Sequence, residues 1–272
     1  MTTITILGTG PVGMFAAKAC QNFGIPWQCL GREIPLITGP VFLHEPIFDN
    51  SPIAMTAMRM VGTAEGYAAN KGATGKTSAD FYGLRNGGLY IPSYHPTYNM
   101  QAFHRQHKEH FRQLELIPGE IENMERMGGL INTLPHPRLL TSLSRIATAP
   151  IEEGLSDNQI EYVGYSDSQV VRWGTMWDYL FLELSPRCLF LEESDLIRVL
   201  EKFLGGFPVK PENFAEEVTF SKIRDVQNTP LRPDEVSTPK FLRVGRFSTL
   251  DNRALAHEAY KQTWEWLVKH YG

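Results

Sequence analysis

The sequence is poor in cysteine. Only Cys20, Cys29 and Cys188 occur among 272 residues, none belongs to a Cys-x-x-Cys pair, and an odd number of thiols suits reduced side chains better than a disulfide framework. That usage points to the cytoplasm. No apolar run approaches the roughly 20 residues a helix needs to span a bilayer. The first residues, MTTITILGTG, have no basic stretch ahead of an apolar one, so membrane insertion and secretion are both disfavoured. An excess of charge of one sign is missing too: 26 Lys+Arg against 30 Asp+Glu leave a formal net charge of -4. There is thus no global attraction to phosphate backbones, and any DNA contact would need a local basic patch. No internal repeat is evident. What remains is an ordinary globular composition, 42% hydrophobic, enough to bury a core as one large domain or two interleaved smaller ones.

The element pattern opens with Thr3-Ile4-Thr5-Ile6-Leu7, a short β-branched strand cut off by glycine. A helix follows over Pro11 to Phe23, with proline in the first turn, where no donor is needed, and Gly24 at its end. Trp27 to Leu30 reads as a second strand, parallel to the first because a helix intervenes. Ile53 to Val61 reads as a strand, and the segment from Gly62 to Gly83 as a polar loop with a short helix. Tyr98 to Leu114 reads as a helix, and Gly129 to Pro135 as a buried strand that returns to the first sheet. Between 151 and 235 the pattern gives strands at Gln159 to Tyr165 and Leu180 to Leu184 and a helix at Glu193 to Phe203. The chain ends in a helix from Asn252 to Tyr271, with Leu255, Ala259, Thr263 and Trp266 on one face and Asp251 or Asn252 as N-cap.

Gly8-Thr9-Gly10-Pro11-Val12-Gly13 is a Gly-x-Gly-x-x-Gly between a predicted strand and a predicted helix, the context this motif requires. Gly8 permits the tight turn, Gly10 lets a pyrophosphate approach the backbone, and Gly13 lets helix and strand pack closely. Free amides and the positive end of the helix dipole then face the phosphates. Ala17 and Gly24 extend the pattern. The acidic residue that accepts the ribose hydroxyls is expected about 20 residues beyond the glycines, where the chain reads Gly31-Arg32-Glu33. Glu33 takes that role if the strand runs slightly long, whereas Arg32 would pair with a phosphate or stack on adenine. The second option keeps NADP open.

With this fingerprint at its start, the chain resembles FAD-binding proteins of the glutathione-reductase superfamily. Gly39-Pro40-Val41-Phe42-Leu43-His44-Glu45-Pro46-Ile47 and Gly62-Thr63-Ala64-Glu65-Gly66-Tyr67 resemble segments of small bacteriophage-encoded flavoproteins, with UDP-galactopyranose mutase a more distant relative. Gly245-Arg246-Phe247-Ser248-Thr249-Leu250-Asp251-Asn252-Arg253-Ala254-Leu255-Ala256-His257 is similar to the segment that passes the flavin in both groups. The likeness covers less than half of the chain. It implies that Gly245 and Arg246 touch the ribityl or pyrophosphate, and that amides near Asp251 and Asn252 face the pyrimidine edge of the isoalloxazine. A helix start there would stabilise the reduced ring. It also implies an enzyme that tailors hypermodified thymines, by oxidation beside a nitrogen and hydrolysis of the resulting imine.

Other signals have bland readings beside functional ones. Gly72 to Thr77 departs from a P-loop, since Asn70 stands where glycine is required; it reads as a solvated loop, or as a lid whose Lys71 and Lys76 suit an anionic ligand. His104, His107 and His110 recur every three residues on a predicted helix, and without a carboxylate set they read as a solvated face rather than a metal site. His44 would orient substrate or move a proton, or else bond only to loop backbone. Tyr162, Tyr165, Arg172, Trp173, Trp177 and Tyr179 would stack on a base or bind phosphate, or form a sheet core, the reading preferred here. His257 receives no role.

The reading is of an α/β protein: a glutathione-reductase-like FAD-binding Rossmann fold, a parallel sheet with flanking helices, carrying a smaller inserted α+β substrate domain. Residues 1–45, 115–140 and 238–272 form the discontinuous Rossmann domain; 46–114 and 141–237 form the substrate or cap domain. The expected activity is that of an FAD-dependent oxidoreductase acting on a C–N bond of an amino-acid-modified thymine in phage DNA or nucleotide. Two alternatives stay open: a UDP-galactopyranose-mutase-like flavoenzyme on a sugar nucleotide, and a dinucleotide-binding module without chemistry. FAD is the expected cofactor, and no metal is expected. The expected partner is a small molecule or modified nucleobase, with DNA reached only through a local patch.

Overall fold

The computed structural model describes residues 2–31, 54–70, 93–97, 100–115, 117–139, 141–150, 158–176, 179–204, 220–226, 229–251, 254 and 256–272. Strand β1 (Ile4–Leu7) leads through the glycine turn into helix α1 (Pro11–Phe23), which Gly24 closes in the left-handed conformation at φ 80°. Strand β2 (Trp27–Gly31) then lies parallel to β1, Ile4 beside Trp27 and Leu7 beside Leu30. These three elements stand where hydrophobic period and glycine placement put them.

In chain order there follow β3 (Ala54–Gly62), α2 (Ala64–Asn70), β4 (Ser93–Thr97), α3 (Met100–Gln106), a 3₁₀ turn at Lys108–His110, β5 (Phe111–Gln113), α4 (Pro118–Met127) and β6 (Leu130–Asn132). Next come β7 (Thr141–Pro150), β8 (Gln159–Gly164), β9 (Val170–Met176), β10 (Tyr179–Leu184), α5 (Glu193–Leu204) and β11 (Phe220–Val226). The last are α6 (Pro233–Val236), β12 (Phe241–Arg243), α7 (Arg246–Thr249) and α8 (Glu258–Tyr271).

The first sheet has the order β12-β6-β1-β2-β5 and is parallel throughout. Both its faces are covered, as parallel sheets require. Ile4 and Ile6 pack with Phe15, Trp27 and Trp266, so that face meets α1 and α8; Leu7 points the other way and joins Leu30, Leu130 and, from α4, Ile121 and Met124. The alternation of the strand makes this division inevitable.

The second sheet has the order β11-β7-β10-β9-β8-β3-β4, with only the β3–β8 pair parallel. Helix α5 lays Leu196, Val199 and Leu200 on Val170, Leu180, Leu182 and Leu184. On the opposite face Tyr67 of α2 packs with Ile160, Tyr162, Val171 and Phe181. Among the described residues, no helix is long and apolar enough to cross a membrane.

Several local expectations need correction. The predicted helix over Tyr98 to Leu114 is three elements, because the chain leaves α3 at Gln106, tightens into a 3₁₀ turn and ends as β5 on the edge of the first sheet. The strand read over Gly129 to Pro135 occupies only Leu130–Asn132, although it does pair parallel with β1. The C-terminal helix starts at Glu258 with His257 at its N-cap, so neither Asp251 nor Asn252 caps it. Leu250 in the left-handed region at φ 58° and a turn from Ala254 N–H to Asp251 O end any earlier helix. Ala259, Thr263 and Trp266 do share the buried face. Strands β7, β9 and β11 carried no distinct sequence signal.

Candidate functional site

The candidate site is the carboxyl end of the parallel sheet, where β1 turns into α1. Gly8 takes φ 103°, and its N–H donates to Leu30 O at 2.7 Å, which fixes the turn beside β2. The first bond of α1 runs from Met14 N–H to Gly10 O at 3.0 Å. Pro11 has no N–H, so the amides of Val12 and Gly13 are the ones left ahead of that bond. Gly10, the N-cap, offers no side-chain cap, and the first turn holds no acidic residue. The positive end of a helix of 13 residues is therefore left for an external anion.

The three glycines have separate reasons. A Cβ on Gly13 would lie 1.9 Å from Gly8 O, so this position is dictated by contact between helix and turn. One on Gly8 would lie 2.2 Å from Thr133 Oγ1, the hydroxyl that donates to Leu7 O at 2.7 Å. Among the described residues, one on Gly10 would meet nothing within 4 Å. Protein packing does not require glycine at Gly10, and the open space in front of it is what the approach of a pyrophosphate to the backbone needs. The turn thus offers the room and the backbone donors that a diphosphate requires.

Two distant segments complete the rim. At the end of β6, Asn132 O accepts from Val244 N–H and, at 2.8 Å, from Ser248 Oγ. Asn132 Nδ2 donates to Glu125 Oε1 at 3.1 Å, and Arg243 pairs with the same carboxylate. Phe247 O accepts from His136 N–H at 2.8 Å. These contacts press the Gly245–Thr249 segment onto the glycine turn, where Gly245, at φ 87°, would place a Cβ 2.7 Å from Val12 Cγ1. Gly8, Gly10, Pro11, Val12, Gly13 and Gly245 are thus brought together. Arg246 follows at the start of α7, with Nε toward Ala254 O at 3.4 Å. Asp251 lies half-buried in the turn beyond α7, and no helix start stands there to face a ring. Arg32, Glu33, His44 and Asn252, with the loop bearing Lys71 and Lys76, lie outside the described residues.

Sequence reasoning missed Thr9, Gly31, Asn132, Thr133, His136 and Ser248. A Cβ on Gly31, at the end of β2, would fall 2.8 Å from Thr9 Oγ1, so the second strand ends against the glycine turn itself. His136 is held below its ordinary value, first by burial and then by the charges of Arg243 and Arg138. Its Nδ1 accepts from Arg138 N–H at 3.1 Å, a bond that only the neutral ring can make. The prolines at 135 and 137 were a signal for a fixed loop but not for its partner.

Within the aromatic middle segment, Tyr162 and Trp173 resolve as core, while Trp177 and the side chain of Tyr179 lie outside the described residues. Tyr162, Trp173 and Arg172 are buried in the second sheet, Arg172 pairs with Glu183, and Trp173 Nε1 donates to Glu161 at 2.8 Å. Tyr165 is exposed and borders a cavity of about 310 Å³ at the end of the β3–β8 pair, with Thr63, Asn70, Asp167 and Arg187. His104, His107 and His110 do not form one solvated face. The His104 ring lies 4.6 Å from that of Phe111, and His110 stacks on Trp27 at 4.5 Å.

No family model matches the chain, and no curated protein matches it. Among solved structures it is similar to HpxO from Klebsiella pneumoniae, complexed with FAD and uric acid, at 12% identity and a TM-score of 0.47, covering 100% of this chain and 80% of that one. It is similar to p-nitrophenol 4-monooxygenase PnpA from Pseudomonas putida, at 11% identity and a TM-score of 0.47, covering 100% and 81%. A flavin-dependent brominase, Bmp2, gives 11% identity and a TM-score of 0.45, covering 100% and 80%. No residue role is transferred from any of them.

Proposed function

We propose that this chain is an FAD-dependent oxidoreductase whose cofactor diphosphate lies at the amino end of α1. The observation that carries this reading is the uncapped helix start, with two amides ahead of the first helical bond, no acidic residue in the first turn and, among the described residues, open space in front of Gly10. A turn that merely joined a strand to a helix would gain from a Ser, Thr or Asp cap at that position; here the cap is left to a ligand.

In this reading Gly8, Gly10, Pro11, Val12 and Gly13 hold the pyrophosphate through backbone amides. Gly245 and Arg246 meet the ribityl or pyrophosphate from the facing segment, where a guanidinium adds a charge-assisted bond. Glu33 would accept the ribose hydroxyls. When bound, FAD supplies two-electron transfer at its isoalloxazine. His44 would orient the substrate or hold a proton beside it.

The finer reading is a glutathione-reductase-like Rossmann domain assembled from residues 1–45, 115–140 and 238–272, acting on an amino-acid-modified thymine or its nucleotide. It rests on the resemblance of Gly39–Ile47, Gly62–Tyr67 and Gly245–His257 to bacteriophage flavoproteins. Glycyl-modified thymidine is therefore the substrate to offer first, and release of glyoxylate with bleaching of the flavin is the expected outcome. Absence of both sinks the substrate reading while leaving the cofactor untouched.

The cofactor is tested by an absorption spectrum of the purified protein. Bands near ~370 and ~450 nm, with FAD released on denaturation, are expected. A colourless protein that refuses added FAD but binds NADP would overturn the proposal and give Arg32 the deciding role.

A further inference from the structure

At the opposite end of the parallel sheet, the chain places a second group of donor atoms. β2 begins at Trp27, and β5 begins directly after the 3₁₀ turn at Lys108–His110. All strands of this sheet are parallel, so this edge is separated from the glycine turn by the length of a strand, about 15 Å at 3.3 Å per residue. Here a ring nitrogen of His107, a ring nitrogen of His110 and a carboxylate oxygen of Glu109 lie within 4.8 Å of one another.

The bonding of His110 fixes what its ring presents. Nδ1 lies 3.0 Å from Trp27 O. A carbonyl oxygen only accepts, so Nδ1 carries a proton and Nε2 is the nitrogen left to take a second proton or a metal ion. The ring is further held by stacking on the Trp27 indole at 4.5 Å. This is the arrangement found behind metal-ligating histidines, where a backbone carbonyl orients the ring and raises its basicity. Nε2 then faces Glu109 Oε1 at 3.4 Å. Two electron-rich atoms at that separation need a cation between them, either a proton or a metal ion. Four ligands arranged tetrahedrally at about 2.0–2.1 Å from zinc stand about 3.4 Å from one another, so this pair already has the spacing of two adjacent ligands.

His107 supplies the third donor. Gln21 accepts from Lys18 Nζ at 3.2 Å through its amide oxygen and turns its amide group to His107 Nε2 at 3.1 Å. A group that can only donate thus sits on that nitrogen and occupies its lone pair, so an ion takes this position by displacing the Gln21 amide. The ring is half-buried between Trp27 and Phe103, with centroids at 6.0 and 4.8 Å. Of the charges facing this ring, that of Glu109 favours a cation and ranks ahead of those of His110 and Lys18, which oppose one. His104 stands one turn back and contributes no ligand.

We propose that His107, Glu109 and His110 form a surface site for a divalent transition metal of the zinc class, with a fourth position left to water. Two imidazoles and one carboxylate suit zinc, cobalt or nickel and not the hard cations magnesium or calcium. The ion would close the 3₁₀ turn on itself ahead of β5, far from the proposed cofactor.

The test is a calorimetric titration of the whole chain, stripped with a chelator, with zinc chloride at neutral pH, repeated with cobalt to read its visible ligand-field bands beyond the flavin absorption. One ion per chain is expected, with affinity falling at least about tenfold in His110→Ala, His107→Ala and Glu109→Gln, and unchanged in His104→Ala. The Glu109→Gln change touches an exposed carboxylate only, so its effect cannot be a failure to fold. Absence of both heat and cobalt bands, or zinc binding that survives His110→Ala and Glu109→Gln, overturns the site. A proton only is the reading if the His110 ring titration moves in Glu109→Gln while no metal binds, and that outcome also overturns it. None of these results depends on whether FAD is the cofactor.

Discussion

Gly245 and Val12 touch across 233 positions of sequence: a Cβ built on Gly245 would lie 2.7 Å from Val12 Cγ1 and 3.0 Å from Cγ2. The backbone of Gly245 is also at φ 87°, a region that side chains rarely adopt. Gly245→Ala should therefore cost on the order of 1–3 kcal/mol through strain and push the facing segment off the turn. Loss of bound flavin with a lowered denaturation midpoint is the expected result, read by release of FAD and by urea unfolding. A variant as stable as the parent and fully loaded would refute the contact.

The glycines of the turn separate binding from folding. Gly10 stands at φ −73° with open space ahead, so Gly10→Ala should change stability by less than about 0.5 kcal/mol. Its methyl group occupies the space proposed for the pyrophosphate, and FAD affinity should fall at least about tenfold. Gly13→Ala, blocked by Gly8 O at 1.9 Å, should instead destabilise the fold itself. Equal behaviour of the two variants in melting and in FAD titration would dismiss this division.

Arg172 and Glu183 are opposite one another on β9 and β10 and are paired with side chains 7% and 2% exposed. Glu183→Leu strands the guanidinium and should destabilise the protein by about 3–5 kcal/mol. The double variant Arg172→Met/Glu183→Leu should recover most of that loss, since no charge is left buried. Chemical denaturation of the three proteins decides it.

Stability should fall with acid partly through His136. Its folded value lies below the ordinary 6.5, so the unfolded chain binds more protons once the pH drops past 6.5, and stability rises with pH across that range. The loss levels off when the folded ring is protonated as well. Comparing the parent with His136→Asn in urea between about pH 7 and 5 should show a shallower slope for the variant. An unchanged slope removes His136 from the account.

The thiols of Cys20 and Cys29 are fully buried, and burial pushes both well above their ordinary value. Cys188 is raised in the same way but has Arg145 and Arg187 nearby to oppose it. A disulfide reagent should therefore label none of Cys20 or Cys29 at neutral pH until the protein unfolds, with Cys188 the first to react. Rapid labelling of Cys20 in the native protein would contradict the packing of α1.

Much of the amino-terminal unit was legible because its constraints are local. Proline at the first helical position, glycine at the last, and β-branched residues in alternation act within a few residues of themselves, so β1, α1 and β2 could be read directly. The same is true of the glycine spacing, whose meaning depends only on a strand before it and a helix after it. Gly8, Gly10 and Gly13 are therefore legible in the sequence alone.

Other parts were decided by pairing over long distances. β5, β6 and β12 have three residues each, too few for a period to show, and they become strands because β2, β1 and β6 respectively offer an open edge to them. β12 reaches β6 across more than 100 residues, and with it come Gly245, Ser248 and the bond between His136 and Phe247. The helix expected over residues 98–114 ends early for the same reason, since a strand position beside β2 satisfies backbone groups that a helix end would leave open. By itself, then, the sequence determined a strand, a phosphate-compatible turn and a helix. Tertiary structure alone decided what faces that turn, because that depends on contacts between segments that no local pattern links, and it decided that the chain leaves the helix at residue 106 for the 3₁₀ turn that gathers His107, Glu109 and His110.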